Sequence, residues 1–404
     1  MVKLGYKQTD IGAIPIDWDE TQIKNVGYLT SGESPAHFDF SIGQIPYFKV
    51  EQLNNSVKYQ AESPYHTYST KTIDKGSIIF PKRGAAIATN KVRILGQPSL
   101  LDTNIMALTI TNEEVHGEYL YYWMVRKGLW QIADTTSVPQ INNKHILPLW
   151  FPLPPIVEQE NIGNALADID ELITIFDLLI EKKKAIKQGA MQELLTGKKR
   201  LPGFEDEWNK CKLGSLGVFV KGTGISRNQS NSGHLPAVRY GELYTKHQNY
   251  VTNYFSHVSE EVAANAQRVS RGDVLFAASG ETKEEIGKCA AIIHETDVYA
   301  GGDILIFRPA TQLDPVFMGT LLNTADVCKQ RAEKGQGDAV VHIHADALCS
   351  INVMIPNIEE QQAIADILLG MDKEIALLES KLVKYRQVKQ GMMQQLLTGK
   401  IRLV

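Results

Sequence analysis

The stretch Lys187-Gln188-Gly189-Ala190-Met191-Gln192-Glu193-Leu194-Leu195-Thr196-Gly197-Lys198 decides the fold, because the chain carries it twice. It returns as Lys389-Gln390-Gly391-Met392-Met393-Gln394-Gln395-Leu396-Leu397-Thr398-Gly399-Lys400. The copies stay in register back to Pro154 and Pro356, over roughly fifty residues, a repeat long enough to carry an architecture. Within the first copy Ile162, Leu166, Ile169, Ile173, Phe176 and Ile180 alternate spacings of four and three, which is a heptad seam. The second copy repeats the seam as Ile364, Leu368, Met371, Ile375, Leu378, Leu382 and Tyr385. Prolines 152, 154 and 155 break the preceding strand, Gly197 suits a C-terminal cap, and Asn357 with Glu360 has capping-box spacing. A helix of about 40 residues is a rod of roughly 60 Å, too long for one small domain to bury. Two rods with equivalent seams therefore pack on each other, and Leu166 and Leu368 are each expected to face the other rod.

Outward from the rods, residues 1–153 and 201–355 read as two related α/β domains. In the first, Ile45–Val50, Ser77–Phe80 and Ile105–Ile110 have the apolar runs of strands. Residues 118–132, with Leu120, Trp123, Met124 and Trp130 at helical spacing, read as a core helix. Ile14-Pro15-Ile16-Asp17-Trp18 is answered by the segment that ends at Trp208, and Ile23, Val26 and Gly32 by Leu213, Leu216 and Gly222. Gly43-Gln44-Ile45-Pro46 is answered by Gly233-His234-Leu235-Pro236, and Lys75–Phe80 by Arg271–Phe276. Between these anchors the similarity vanishes, the pattern of two binding domains of one fold with two targets. The order domain, rod, domain, rod makes the rods antiparallel. The expected class is α+β: two pseudo-symmetric globular α/β domains joined by two long antiparallel helices that form a coiled coil.

Composition narrows the function. The formal net charge of −4 argues against a uniformly basic surface, so any contact with nucleic acid must come from local patches. Four scattered cysteines without a Cys-x-x-Cys pair make structural zinc and a disulfide framework poor readings. The opening Met1-Val2-Lys3-Leu4-Gly5-Tyr6-Lys7-Gln8 lacks an apolar signal core, and no apolar run approaches the ~20 residues that span a bilayer. A cytoplasmic protein is expected. There is no methyltransferase Asn-Pro-Pro-Tyr tetrapeptide and no nucleotide-binding loop, since Gly222-Thr223-Gly224 and Gly287-Lys288-Cys289 both have the wrong spacing.

The chain resembles the specificity (S) subunit of type I restriction–modification systems over essentially its whole length. Pro152–Gln159 with its partner Ile355–Gln362, and the Leu-Leu-Thr-Gly-Lys endings at 194–198 and 396–400, carry the resemblance. It implies target-recognition domains at 1–153 and 201–355 and conserved spacer helices at 154–200 and 356–404. It also implies a non-catalytic subunit that binds double-stranded DNA, each recognition domain reading one half of a bipartite asymmetric site. The helices would set the spacing and dock two methyltransferase (M) subunits, with restriction (R) subunits in the full complex. No cofactor or metal is expected on this chain; S-adenosylmethionine is expected on the M subunits. A rod of roughly 60 Å limits the site to fewer than about 18 base pairs.

DNA contacts need Lys and Arg for phosphates and Arg, Lys, Asn or Gln for base edges. In the first domain Lys82 and Arg83 after a strand, and Gln140, Asn142 and Lys144 in a polar loop, are the candidates. In the second domain they are Arg227 in a flexible basic loop, Arg239, Ser279, Lys283, His342 and His344. Counting back from the rods sets His342 and His344 opposite Gln140 and Asn142. In a strand His342, His344 and Asp346 would share one face, yet DNA-facing polar residues are the better reading than a metal site. Lys182-Lys183-Lys184 and Lys187 read as a solvated helix face.

Overall fold

The structure is a computed structural model that describes residues 4–54, 58–337 and 340–404. Met1–Lys3 of the opening segment therefore lie outside the described residues. The chain divides into two compact units, Met1–Asp177 with Ser380–Val404, and Leu178–Glu379. Each unit thus holds one globular domain, the start of one rod and the end of the other.

Each globular part has its own five-stranded sheet, and the two sheets have the same topology. In the first unit the strand order is Gly27–Ser31, Ile105–Ile110, Ile78–Pro81, Arg93–Leu95, Tyr59–Gln60. In the second it is Gly217–Lys221, Ile304–Pro309, Val274–Ala277, Cys289–Ile292, Tyr250–Val251. In both sheets the last pair is parallel and the others antiparallel. The expected strands are present within a residue or two of their bounds. Gly32 and Gly222 close the first strand of each sheet where a β-carbon would lie 2.1 Å from a carbonyl oxygen, of Asp102 or Gly301. Only glycine fits there.

Two expectations fail locally. The first-unit helix stops at Lys127 because Gly128 turns the chain at φ 78°, and a short 3-10 turn, Leu129–Ile132, follows. Trp130 is consequently exposed instead of belonging to the core. Pro152 lies inside the strand Trp150–Leu153, where the ladder tolerates it because the strand has a single partner, Asp19–Gln22.

The rods are Ile156–Leu194 and Ile358–Leu396, each of 39 residues. Within the first unit Asp170 pairs with Lys389, Asp177 with Arg386, and Phe176 stacks on Tyr385 with centroids 5.2 Å apart. Within the second, Lys187 pairs with Asp372 and Lys183 with Glu374 at 2.6 Å. From Asp170–Lys389 to Asp177–Arg386 in one unit, and from Lys183–Glu374 to Lys187–Asp372 in the other, the partner number falls as the first rises, so the helices run antiparallel. Lys183, Lys184 and Lys187 are therefore inter-rod ion-pair partners, while Lys182 and Lys184 remain exposed as a solvated face requires. Leu166 joins a buried cluster with Met393, Leu396 and Leu397, and Leu368 one with Leu194 and Leu195. Both clusters also include residues of the globular domain, so these leucines fasten rod to domain as well as rod to rod. Of the remaining seam, Ile162, Ile364, Ile375 and Leu382 are buried, and Ile169, Ile173, Phe176, Met371 and Leu378 half-buried.

One clasp is built twice. In the first unit the buried Glu158 accepts from Trp18 Nε1 at 2.8 Å and from Arg402 Nε and Nη2, each at 2.7 Å. In the second, Glu360 accepts from Trp208 Nε1 at 3.1 Å and from Arg200 Nε and Nη2, each at 2.7 Å. A carboxylate with under 3% exposure in each unit is thus satisfied on both oxygens, as burial requires. Asn357 Oδ1 caps Glu360 N at 2.9 Å. The return half of the expected capping box is absent because the Glu360 carboxylate is committed to Arg200 and Trp208. Beside each glutamate a glutamine ties the rod to the domain. Gln159 receives His116 N at 2.9 Å and donates to the Glu114 and Pro154 carbonyls, and Gln361 receives Asp314 N at 3.0 Å and donates to the Pro356 carbonyl. Gly197 and Gly399 end the rods at φ 67° and 68°.

Candidate nucleic-acid interface

Each unit makes a small hairpin from the chain leaving the strand at Pro81 or Ala277 and the segment just before the last short helix. In the first unit Lys82 N donates to Asn104 O, Ile141 N donates to Lys82 O, and Arg83 bridges Gln140. Gln140 also exchanges backbone hydrogen bonds with Asp134 at 2.9 and 3.0 Å. In the second unit Ala278 N donates to Asp303 O, Ile343 N donates to Ala278 O, and Ser279 pairs with His342. His342 exchanges bonds with Gln336 at 2.8 and 2.9 Å. The backbone frame is the same at every rung. The buried Ile141 and Ile343 match, whereas the polar positions differ: Arg83, Gln140 and Asn142 in one unit stand where Ser279, His342 and His344 stand in the other.

Arg83, Asn142, Lys144, Lys283, His342 and His344 are exposed, and Lys82, Gln140 and Ser279 half-buried. The side chains of Arg83, Lys144 and Lys283 make no ion pair or hydrogen bond among the described residues. Lys82 donates to Ser31 Oγ at 2.9 Å, and its burial pushes the ammonium below the usual lysine range, against the pull of Asp102. Asp134 lies one rung from Gln140, and hydrogen bonds from the Thr136 backbone and hydroxyl hold its carboxyl below the usual range. In the second unit Ser279 Oγ meets His342 Nδ1 at 3.0 Å, which fixes the ring and leaves Nε2 as its remaining polar atom. The strand there is only Val341–His342; His344 caps the helix Ala345–Cys349, and Asp346 lies in that helix. The single face expected for His342, His344 and Asp346 therefore does not form. Among the described residues no three His, Cys, Asp or Glu side chains are grouped to hold a metal ion.

Arg227 and Arg239 meet in a second feature of this unit, a cleft of about 540 Å³ that they line with Tyr240, Lys246, Phe255 and Ser256. Arg239 Nε donates to Ser256 Oγ at 3.2 Å, and its backbone N donates to Glu242 Oε2 at 3.3 Å. Glu242 is buried and also accepts from the Ser256 hydroxyl. In the loop of Arg227, Ser226 precedes a 3-10 turn, Arg227–Gln229, and the Ser226 N–H and hydroxyl both bond Gln229 Oε1. On the same helix as Tyr240, Tyr244 donates to Ser279 O at 3.0 Å, which joins the cleft to the hairpin.

The first unit has a counterpart that sequence reasoning missed. Lys49 stands where Arg239 stands, and its backbone N donates to Gln52 Oε1 at 2.7 Å as Arg239 N does to Glu242. Counting six residues on from Gly43 and Gly233 would have found the pair. Lys49 lies over the Tyr65 ring at 3.7 Å, within an aromatic group that includes Phe38, Phe40 and Tyr47.

Residues 15–188 and 205–384 each match the family described as the type I restriction modification DNA specificity domain. The chain is 24% identical to the type I restriction enzyme MjaVIII specificity subunit of Methanocaldococcus jannaschii, across 96% of this chain and 94% of that one. It is 26% identical to the putative type I restriction enzyme MjaX specificity subunit of the same organism, across 98% and 97%. The crystal structure of a type I restriction–modification S subunit from M. genitalium has the same fold, with a TM-score of 0.59 at 15% identity over 94% of this chain and 96% of that one. A duplicated sheet, two antiparallel rods and a match that fills both halves lead to one assignment: this chain belongs to the type I restriction–modification DNA-specificity family.

Proposed function

We propose that this chain is the DNA sequence-specificity subunit of a type I restriction–modification complex, each globular domain reading one half of a bipartite asymmetric site. The functional segments are 1–153 and 201–355 for recognition and 154–200 and 356–404 for spacing. The observation that carries this reading is the shared hairpin frame with unlike side chains on its rungs. Arginine, glutamine and asparagine match guanine and adenine edges, and a serine–histidine pair presents different donors and acceptors. Lys82, Lys144 and Lys49 in one unit, and Arg227, Arg239 and Lys283 in the other, supply phosphate contacts. These are local patches on a chain whose formal net charge is −4.

The chain performs no chemistry itself and holds no cofactor. S-adenosylmethionine belongs to two methyltransferase subunits that dock on the rods, and restriction subunits complete the assembly. Exposed apolar side chains on the rods support such docking: Ile175, Val383 and Val388 in the first unit and Leu178, Ile186 and Leu377 in the second. No described helix is long and apolar enough to cross a membrane, and we assign the protein to the cytoplasm, where its DNA lies.

The test is methylation mapping with the full chain and its methyltransferase subunits after residues 1–153 are exchanged for those of another family member. One half-site should change and the other stay. An unchanged site, or a change in both halves, overturns the division of labour.

A further inference from the structure

The reading loop of each unit begins at its hairpin and ends at a left-handed turn. Strand register aligns Asn90 with Gly287, three residues before the paired positions Arg93 and Ala290. Both have positive φ, 50° and 69°. The two turns are fastened to the neighbouring helical segment in opposite ways. Asn90 reaches out: its Nδ2 donates to Val125 O at 2.7 Å, and its Oδ1 accepts from Leu129 N at 2.9 Å. Gly287 has no side chain to reach with, and it is reached: Arg331 Nη1 donates to Gly287 O at 2.6 Å.

The backbone of the helical segment explains the exchange. In the first unit the helix breaks at Gly128, so Val125 O and Leu129 N are available to an amide. In the second, Ala325–Lys334 runs unbroken past Arg331, so its peptide groups are consumed and a side chain must make the tie. Leu129 and Arg331 each lie five residues before the bridge to Gln140 or His342. Arg331 is 1% exposed and contacts Asn323 Oδ1 and the Cys289 and Cys328 sulfurs, with no carboxylate partner among the described residues. A buried guanidinium without an acid is costly, which marks this one as retained for position.

We propose that Asn90 and Arg331 are positioning residues that fix the far ends of the loops 82–92 and 278–288, and so hold Lys82-Arg83 and Ser279–Lys283 for DNA. This rests on the reading of those loops as DNA-facing. The test uses the full chain with its methyltransferase subunits and two readouts, amide exchange of the loops and base preference selected from randomised duplexes. Arg331→Met should speed exchange in 279–287 by about tenfold and relax the second half-site only. Arg331→Lys, which keeps one donor, should fall between. Asn90→Gly, which keeps the turn, should do the same to 83–90 and the first half-site, with Asn90→Asp intermediate; it serves if Arg331→Met does not fold. Unchanged exchange in both loops overturns the tie. Faster exchange with preference intact overturns the positioning role, and His342→Ala then separates the causes. If His342→Ala relaxes the second half-site, the DNA-facing reading stands and only the tie fails; if it does not, that reading fails too.

Discussion

Glu158 and Glu360 occupy one point of the repeat and bind the same partners, a tryptophan and an arginine. Arg83 and Ser279 also occupy one point and share nothing but their backbone. The difference follows burial. The glutamates are enclosed, so replacing one partner strands a charge. Arg83, Asn142, His342 and His344 are exposed, so the same frame accepts different side chains at these positions. What is alike in the two halves is what the interior enforces, and what differs is what a target can read.

The comparison can be broken or sharpened in four ways. Glu158→Ala should have the largest effect, a loss of about 3 kcal/mol in denaturant unfolding, and Glu360→Ala should lower the midpoint of the second unit. A silent substitution at either would dissolve the equivalence of the clasps. Next, grafting the second set of rungs onto the first unit (Arg83→Ser, Gln140→His, Asn142→His) should change discrimination at one half-site by ~1–3 kcal/mol per base pair. Selection from randomised duplexes reads this, and movement in the other half-site would count against independent reading. Arg83→Ala should weaken binding about tenfold and reduce the salt slope by about one; Ser279→Ala, which removes no charge, should leave the slope unchanged.

The smallest effect concerns acid. Arg402 also grips Asp17 at 2.7 and 2.8 Å, and that hydrogen bonding holds the Asp17 carboxyl below its usual range. A depressed folded value means that the contribution is full above the unfolded value of about 3.9 and disappears as pH falls through the folded one. In the second unit Asp206 bonds Asn357 Nδ2 instead. Asp17→Asn should therefore flatten the acid limb of stability, measured by thermal unfolding from pH 5 downward. An identical limb in the variant would remove Asp17 from the clasp.

Much of the fold was legible because a heptad seam is a long, redundant signal. Both rods begin and end within a residue or two of the positions that proline, the Asn357 cap and the glycines imply. Trp130 was misplaced because nothing in helical spacing shows that Gly128 will adopt positive φ. The inter-rod pairing of the lysines at 183, 184 and 187 was not legible because their acids lie almost two hundred residues away. His342 and His344 were correctly set opposite Gln140 and Asn142, since the rods supply the register. Their shared face was lost because the strand is two residues long. Lys49 and Arg331 were missed for opposite reasons: Lys49 lies where local similarity fades, and an arginine gives no sign in sequence that it will be buried.

The glutamine that ties each rod to its domain has a consequence for how such proteins change. Among the described residues the Gln159 side chain hydrogen-bonds peptide groups alone, at Glu114, His116 and Pro154. A socket of that kind is blind to which amino acids supply it. A domain that passes its main chain at that height and brings a tryptophan for Glu158 can be plugged onto the same shaft, so new specificities can arise by exchanging whole cassettes while the joint stays untouched.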